Sequence, residues 1–219
     1  MSGIFLKRFL KRNNKVLGGG YISYYGLTDW WNELSDEERK IIRNTYNPMS
    51  SSEEDTTIDK GDISYCSGSK LGFIGGLVDW FEKEEKYNIA LKIIQLGEDN
   101  INETEDILDL HFFYLNCIKV FYRNRDNYLE SLEKAIEYCE KQISISKKSK
   151  RAWICEYSEE LPFHTGYDQL AIIYEKKKDY DKALAITRQA LKEGWNNDCQ
   201  KRIDRLIKKI NKENQKEQC

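Results

Sequence analysis

Residues 167–191, YDQLAIIYEKKKDYDKALAITRQAL, hold two amphipathic stretches separated by a short polar break. Tyr167, Leu170, Ala171 and Tyr174 recur at i, i+3, i+4 and i+7, which places them on one face of a helix. Lys176 to Tyr180 interrupts the pattern, and Ala183, Ile186, Ala190 and Leu191 then resume it. Ala171 and Ala183 are small, so two helix axes can approach closely where they cross. A pair this short cannot enclose a core alone, and further pairs are expected beside it.

Upstream, Leu71 to Asp99 carries the same signal. Ile74, Leu77, Val78 and Phe81 have helical spacing, EKEEKY is a turn, and Ala90, Ile93 and Ile94 open a second helix. Ile107 to Ser146 forms a longer pair, with Leu110, Phe113, Tyr114, Cys117, Ile118 and Phe121 in one stripe and Ala135, Ile136, Tyr138 and Cys139 in its partner. Residues 147–163, KKSKRAWICEYSEELPF, are an insertion rich in charge, in which Trp153, Ile154 and Tyr157 suit one helical turn. Thr165 with Asp168 is the expected cap of the helix that follows. Asp198 or Asn197 caps a last helix from Cys199 to about Ile210, apolar at Ile203, Leu206, Ile207 and Ile210 and basic on its other side.

The N-terminal third differs. Met1 to Asn14, MSGIFLKRFLKRNN, is a short basic amphipathic segment, and Gly18, Gly19 and Gly20 end any helix there. Residues 21–46 are rich in aromatics, including Trp30 and Trp31, with a capping box at Ser35 and Glu38. Met49 to Asp62 is polar and acidic, as expected of a loop.

Composition bounds the function. The 219 residues are 40% hydrophobic and 33% charged, with two prolines and a net charge of −2. This suits a helix-rich soluble protein and gives no global pull toward nucleic acid, so no nucleic-acid partner is expected. The six cysteines form no CxxC pair, and reduced thiols in a cytoplasmic protein are expected. Gly68, Gly72, Gly75 and Gly76 fit neither phosphate-loop pattern and are expected to permit close helix packing. The two histidines, His111 and His164, stand 53 positions apart at the starts of two presumed first helices. No HExxH, GxSxG or paired-cysteine spacing accompanies them, so neither catalysis nor a metal or other cofactor is expected.

The spacing of Tyr167, Leu170, Ala171, Tyr174, Ala183 and Ala190 resembles the tetratricopeptide repeat. Thr187 stands at the usual second-helix aromatic and Trp195 at the usual terminal proline. The resemblance covers about residues 70–197 and implies an all-α fold: a short α-solenoid of helical hairpins with N-terminal capping helices and a C-terminal solvating helix. The organisation expected is a basic segment and glycine joint (1–20), an aromatic cap and loop (21–66), repeats (67–197) and a terminal helix and tail (198–219).

The same resemblance implies a protein-interaction module, in which the first helix of each repeat lines a concave groove for a peptide. Carried over by position, the groove comprises Gly72, Gly75, Asp79 and Glu82, then Phe113, Asn116, Val120 and Arg123, then Thr165, Asp168, Ile172 and Glu175. Gly75 and Asp79 replace the Lys and Asn with which the chaperone-binding subgroup clamps a terminal carboxylate. Asp79, Glu82, Asp168 and Glu175 favour a basic or neutral peptide. Competing readings are a peripheral membrane scaffold anchored through Met1–Lys15, a peptide-sensing regulator, and a homodimer joined through exposed tryptophans.

Overall fold

The structure is a computed structural model that describes residues 18–48, 58–103, 106–157, 160–195 and 198–217. The basic segment Met1–Lys15 and most of the expected loop at 49–62 lie outside these residues. Among the described residues the fold is all-helical, with eleven α-helices and no strand. The chain divides into two compact units, Met1–Cys66 and Ser67–Cys219.

The first unit holds α1 (Gly20–Tyr24), α2 (Thr28–Glu33) and α3 (Asp36–Thr45). Ser35 and Glu38 form the expected reciprocal capping box, which satisfies two backbone donors that a helix start leaves open. The chain returns along α1 through backbone bonds from Gly19 to Asp59 (3.0 Å), Gly20 to Gly61 (2.7 Å) and Ile22 to Ile58 (2.9 Å). Ile22, Trp31, Ile42 and Ile58 are fully buried. Arg43 bridges this core to the buried Asp59 at 2.5 Å and lies 5.4 Å over the Trp31 ring.

The second unit is a run of helical hairpins. The first pairs α4 (Lys70–Asp79) with α5 (Tyr87–Asp99), and the second pairs α6 (Ile107–Arg123) with α7 (Ser131–Ser144). After α8 (Ser146–Tyr157) the third pairs α9 (Thr165–Lys176) with α10 (Tyr180–Glu193), and α11 (Cys199–Glu217) packs on α10. Polar side chains set the starts: the Ser69 hydroxyl accepts from Gly72 N, the Asp106 carboxylate from Leu108 N and Asp109 N, and Asp179 from Lys182 N. Gly194 closes α10 in the left-handed region at φ 84°, where a Cβ would be strained.

Several expectations at this level need correction. Residues 146–157 form three helical turns, continuing α7 after a single break at Ile145, where one turn was expected. The cap of α9 is the His164 imidazole, whose Nδ1 accepts from Tyr167 N at 3.3 Å, and not Thr165. Phe81 is buried but lies beyond α4, in the turn. Helix α11 runs to Glu217, past the end expected near Ile210, because Asn211, Lys212, Asn214 and Gln215 are exposed polar residues that continue a helix without needing a packed face.

Of the four glycines expected to permit close packing, Gly72 and Gly75 do so. A Cβ on Gly72 would come within 2.7 Å of the Asp109 carboxylate, and one on Gly75 within 3.3 Å of the Phe113 backbone. At Gly97 a Cβ would overlap the edge of the enclosed Phe113 ring, whereas at Gly76 it would meet open space. Gly97→Ala should therefore cost about 1–3 kcal/mol through overpacking. Gly76→Ala should gain about 0.5–1 kcal/mol, because helical glycine loses more backbone entropy on folding. Urea titrations of the two variants should move in opposite directions, and a shared direction would contradict this packing.

Candidate functional site

The exposed seam between α4 and α6 is laced at a nearly constant offset in sequence. The Ser69 hydroxyl donates to the Asp109 carboxylate, Asn116 Nδ2 donates to the Gly75 carbonyl (3.0 Å), Lys119 meets Asp79 (2.9 Å) and Arg123 meets Glu82 (2.6 Å). These contacts join residues 40 or 41 apart. A second seam joins α9 to α11, where Arg202 binds Asp168 (2.6 Å) while Arg205 (2.9 Å) and Lys209 (2.7 Å) share Glu175. Hydrogen bonds from Arg205, opposed by partial burial and reinforced by Lys209, hold the Glu175 carboxyl down at about 2.

The polar and aromatic residues expected to line the groove are thus distributed over two seams and a core. Asp79, Glu82, Asn116 and Arg123 come together between α4 and α6, and Asp168 and Glu175 come together between α9 and α11. Phe113 is fully buried beneath Gly75 and Gly97, and Val120 is fully buried too, so neither offers surface. All four carboxylates expected to attract a basic peptide already face cations of this chain. The sequence could not reveal this, because the basic partners come from a helix 30 to 41 residues away. Exposed pairs of this kind each contribute only ~0–1 kcal/mol to stability, but they cancel the local field an incoming cation would feel.

Where the C-terminal ends of α6 and α9 meet the α6–α7 turn and the start of α7, the structure forms a cleft of ≈ 250 Å³ that position-by-position reasoning missed. Tyr122, Leu132 and Ile173 supply its apolar surface, and Arg125, Lys176 and Lys177 supply its rim. The Arg125 guanidinium lies 4.3 Å over the Tyr122 ring and the Lys176 ammonium 5.5 Å from it. Lys176 Nζ also donates to the Tyr122 hydroxyl at 3.0 Å. The rim holds one acid, Asp126, which is paired with Arg125 at 3.0 Å. A small apolar slot with a cationic edge suits an apolar side chain followed or preceded by an acidic one. Sequence reasoning missed it because Tyr122 stands one position beyond the apolar stripe of α6.

The other constellation is interior. His111 on α6 and His164 at the start of α9 meet with ring centroids 5.0 Å apart, and both rest on Trp195, at 5.8 and 4.6 Å. Gln142 ties the group together: its Nε2 donates to the His111 carbonyl (3.0 Å) and its Oε1 accepts from Gly166 N (2.7 Å). Burial pulls His111 down to about 4, and burial together with its neighbour pulls His164 down to about 3. Both imidazoles are therefore neutral at physiological pH. At 3% and 0% exposure they cannot reach a substrate, and they act as polar core.

Cys66, Cys117, Cys139, Cys155 and Cys199 are free thiols, and burial raises the Cys117, Cys139 and Cys199 groups. Among the described residues, no three His, Cys, Asp or Glu side chains converge as metal ligands, and no helix is long and apolar enough to cross a membrane. In comparisons with known proteins, no family model, no curated protein and no solved structure matches the chain.

Proposed function

We propose that the second unit is a short TPR-like α-solenoid that works as a protein-interaction module, holding a peptide segment of another protein across α6 and α9. The observation that carries this reading is the Tyr122 cleft, a slot with apolar walls where the ends of α6 and α9 meet the start of α7, open beside charge-neutralised seams. The recurring offset of 40 or 41 residues between α4 and α6 supports a repeat architecture. The offset of 34 between α9 and α11, seen for Asp168 with Arg202 and Glu175 with Lys209, supports α11 as the helix that closes the stack.

The charge pattern changes the kind of peptide expected. With Asp79, Glu82, Asp168 and Glu175 engaged and Arg125 paired with Asp126, the charge near the slot that meets no carboxylate is that of Lys176 and Lys177. An apolar residue flanked by acids fits better than a basic segment. Selection of extended peptides displayed against the full chain should enrich such sequences. Tyr122→Ala and Lys176→Glu should each weaken the selected peptide at least about tenfold, the scale of losing one well-placed anchor. Both side chains are at least partly exposed, so neither change should unfold the protein. Enriched peptides that bind Tyr122→Ala as tightly as the parent, or no enrichment at all, would sink the reading.

A further inference from the structure

A separate group of uncompensated cations on the second unit lies between α8 and the C-terminal end of α10. A cleft of ≈ 500 Å³ opens there, lined by Lys147, Lys150, Arg151, Gln189, Lys192 and Glu193. The cations of the two seams each have a carboxylate within 2.9 Å. Here Lys147, Arg151 and Lys192 meet no carboxylate within ion-pair distance among the described residues.

The acid that lines the cleft does not fill that need. The Glu193 carboxylate accepts from Ser146 Oγ at 2.8 Å, from Trp195 Nε1 at 3.2 Å and from Gln189 Nε2 at 3.4 Å. Burial raises this carboxyl, but these neighbours and the Tyr167 hydroxyl outweigh that and leave it below its ordinary range. Lys150 reaches the same residue through the backbone, donating to the Glu193 carbonyl at 2.5 Å at the negative end of α10. Lys150 is thereby fixed in position, and Lys147 and Arg151 stand beside it on the first two turns of α8. Four cations are thus gathered around a concavity with its one acid turned to hydroxyl, indole and amide donors.

We infer that this cleft is an anion site for a compact phosphate-bearing ligand, clasped by Lys147, Lys150, Arg151 and Lys192. Phosphate suits it on two grounds. Several cations converging on a small volume call for a ligand of high charge density, and each phosphoryl group supplies up to two charges and three acceptor oxygens. Arg151 brings a planar fork for bidentate contact, and the lysines are compact point charges around it. The site is separate from the Tyr122 cleft and shares no residue with it.

The test uses the full chain and two phosphate sources: soluble tripolyphosphate, and phosphatidylcholine vesicles carrying phosphatidylinositol bisphosphate. Titration calorimetry and co-sedimentation are run on the parent, on Lys147→Gln with Arg151→Gln, and on Lys208→Gln with Lys212→Gln as a control on the basic face of α11. All four positions are exposed, and circular dichroism confirms that each variant is folded. Loss of roughly tenfold for each cation removed is expected in the α8 variant, with the control unchanged. That pattern with tripolyphosphate supports a free phosphate ligand, and the same pattern with vesicles alone supports a lipid headgroup. Binding of neither source, equal losses in both variants, or tighter binding of an octaglutamate peptide than of tripolyphosphate would overturn the assignment.

Discussion

Phe113→Ala is expected to destabilise the protein by about 3–5 kcal/mol, the usual cost of emptying an enclosed aromatic site. Phe113 is fully buried, and its ring fills the space that the missing Cβ of Gly97 leaves on α5, while its backbone abuts Gly75 on α4. One side chain therefore joins three helices. The backbone around it has little room to shift into the vacancy, because bonds from Asn116 to Gly75 and from Lys119 to Asp79 already fix the spacing of α4 and α6 along their seam. Since whole-domain stability is typically about 5–15 kcal/mol, this one truncation removes a large fraction of it. Phe113→Leu keeps most of the volume and should cost below about 1.5 kcal/mol. In the Phe113→Leu background, Gly97→Ala should lose much of its own cost, because the two positions share one space. Equilibrium urea unfolding gives all of these values. A Phe113→Ala cost under about 1 kcal/mol, or strict additivity with Gly97→Ala, would mean that the ring does not sit where it is placed.

The same residue shows what was legible in the sequence. The apolar stripe of α6 was plain from its period, and with it the helical class of the chain. Assigning Phe113 to a groove instead came from transferring positions, and that transfer fails where glycines bring a neighbouring helix closer. Gly75 and Gly97 were visible as letters, yet only the packed geometry says that an aromatic ring takes their place. Capping was readable where a single local motif decides it, as at Ser35 and Glu38. It was misread at His164, because an imidazole nitrogen is an uncommon cap and an adjacent threonine is a common one. The insertion at 147–163 reads as polar because α8 spends four early positions on Lys and Arg. Its apolar share, with Trp153 half-buried against the Tyr167 and Trp195 cluster, becomes apparent only once α9 and α10 are in place.

Ion pairing between helices was the least legible feature. Charges at 79, 82, 168 and 175 look available in a linear chain, and only the offset between neighbouring helices reveals their partners. That offset was nevertheless present in one place. The separation of 53 between the two histidines is nearly the separation of 54 between Tyr122 and Lys176, another contact between α6 and α9. Two polar residues at equivalent places in adjacent first helices were therefore candidates to meet inside the stack.

That meeting has a consequence for acid stability. Lowering the pH from 7 to 5 should cost roughly 2 kcal/mol for each of the two imidazoles. The folded protein holds His111 at about 4 and His164 at about 3, against 6.5 in the unfolded chain. Between those limits the unfolded chain binds more protons than the native one, so stability is full above 6.5 and falls as protons are added. Gln142, Trp195, Phe112 and Tyr167 pack against the pair, and an amide, an indole, a hydrocarbon ring and a phenol are all uncharged between pH 5 and 7. Carboxylates do not account for this window. Glu98, Glu175 and Glu193 are held below 4.5, so their stabilisation is present above 4.5 and is lost only as pH falls further. Chemical denaturation at pH 7, 6 and 5 measures the slope. His111→Gln halves it, and His111→Gln with His164→Asn, which keeps an acceptor at the start of α9, nearly abolishes it. An unchanged slope in the double variant, or imidazole resonances that titrate near 6.5 in the folded protein, would show that the pair is not sealed in the core.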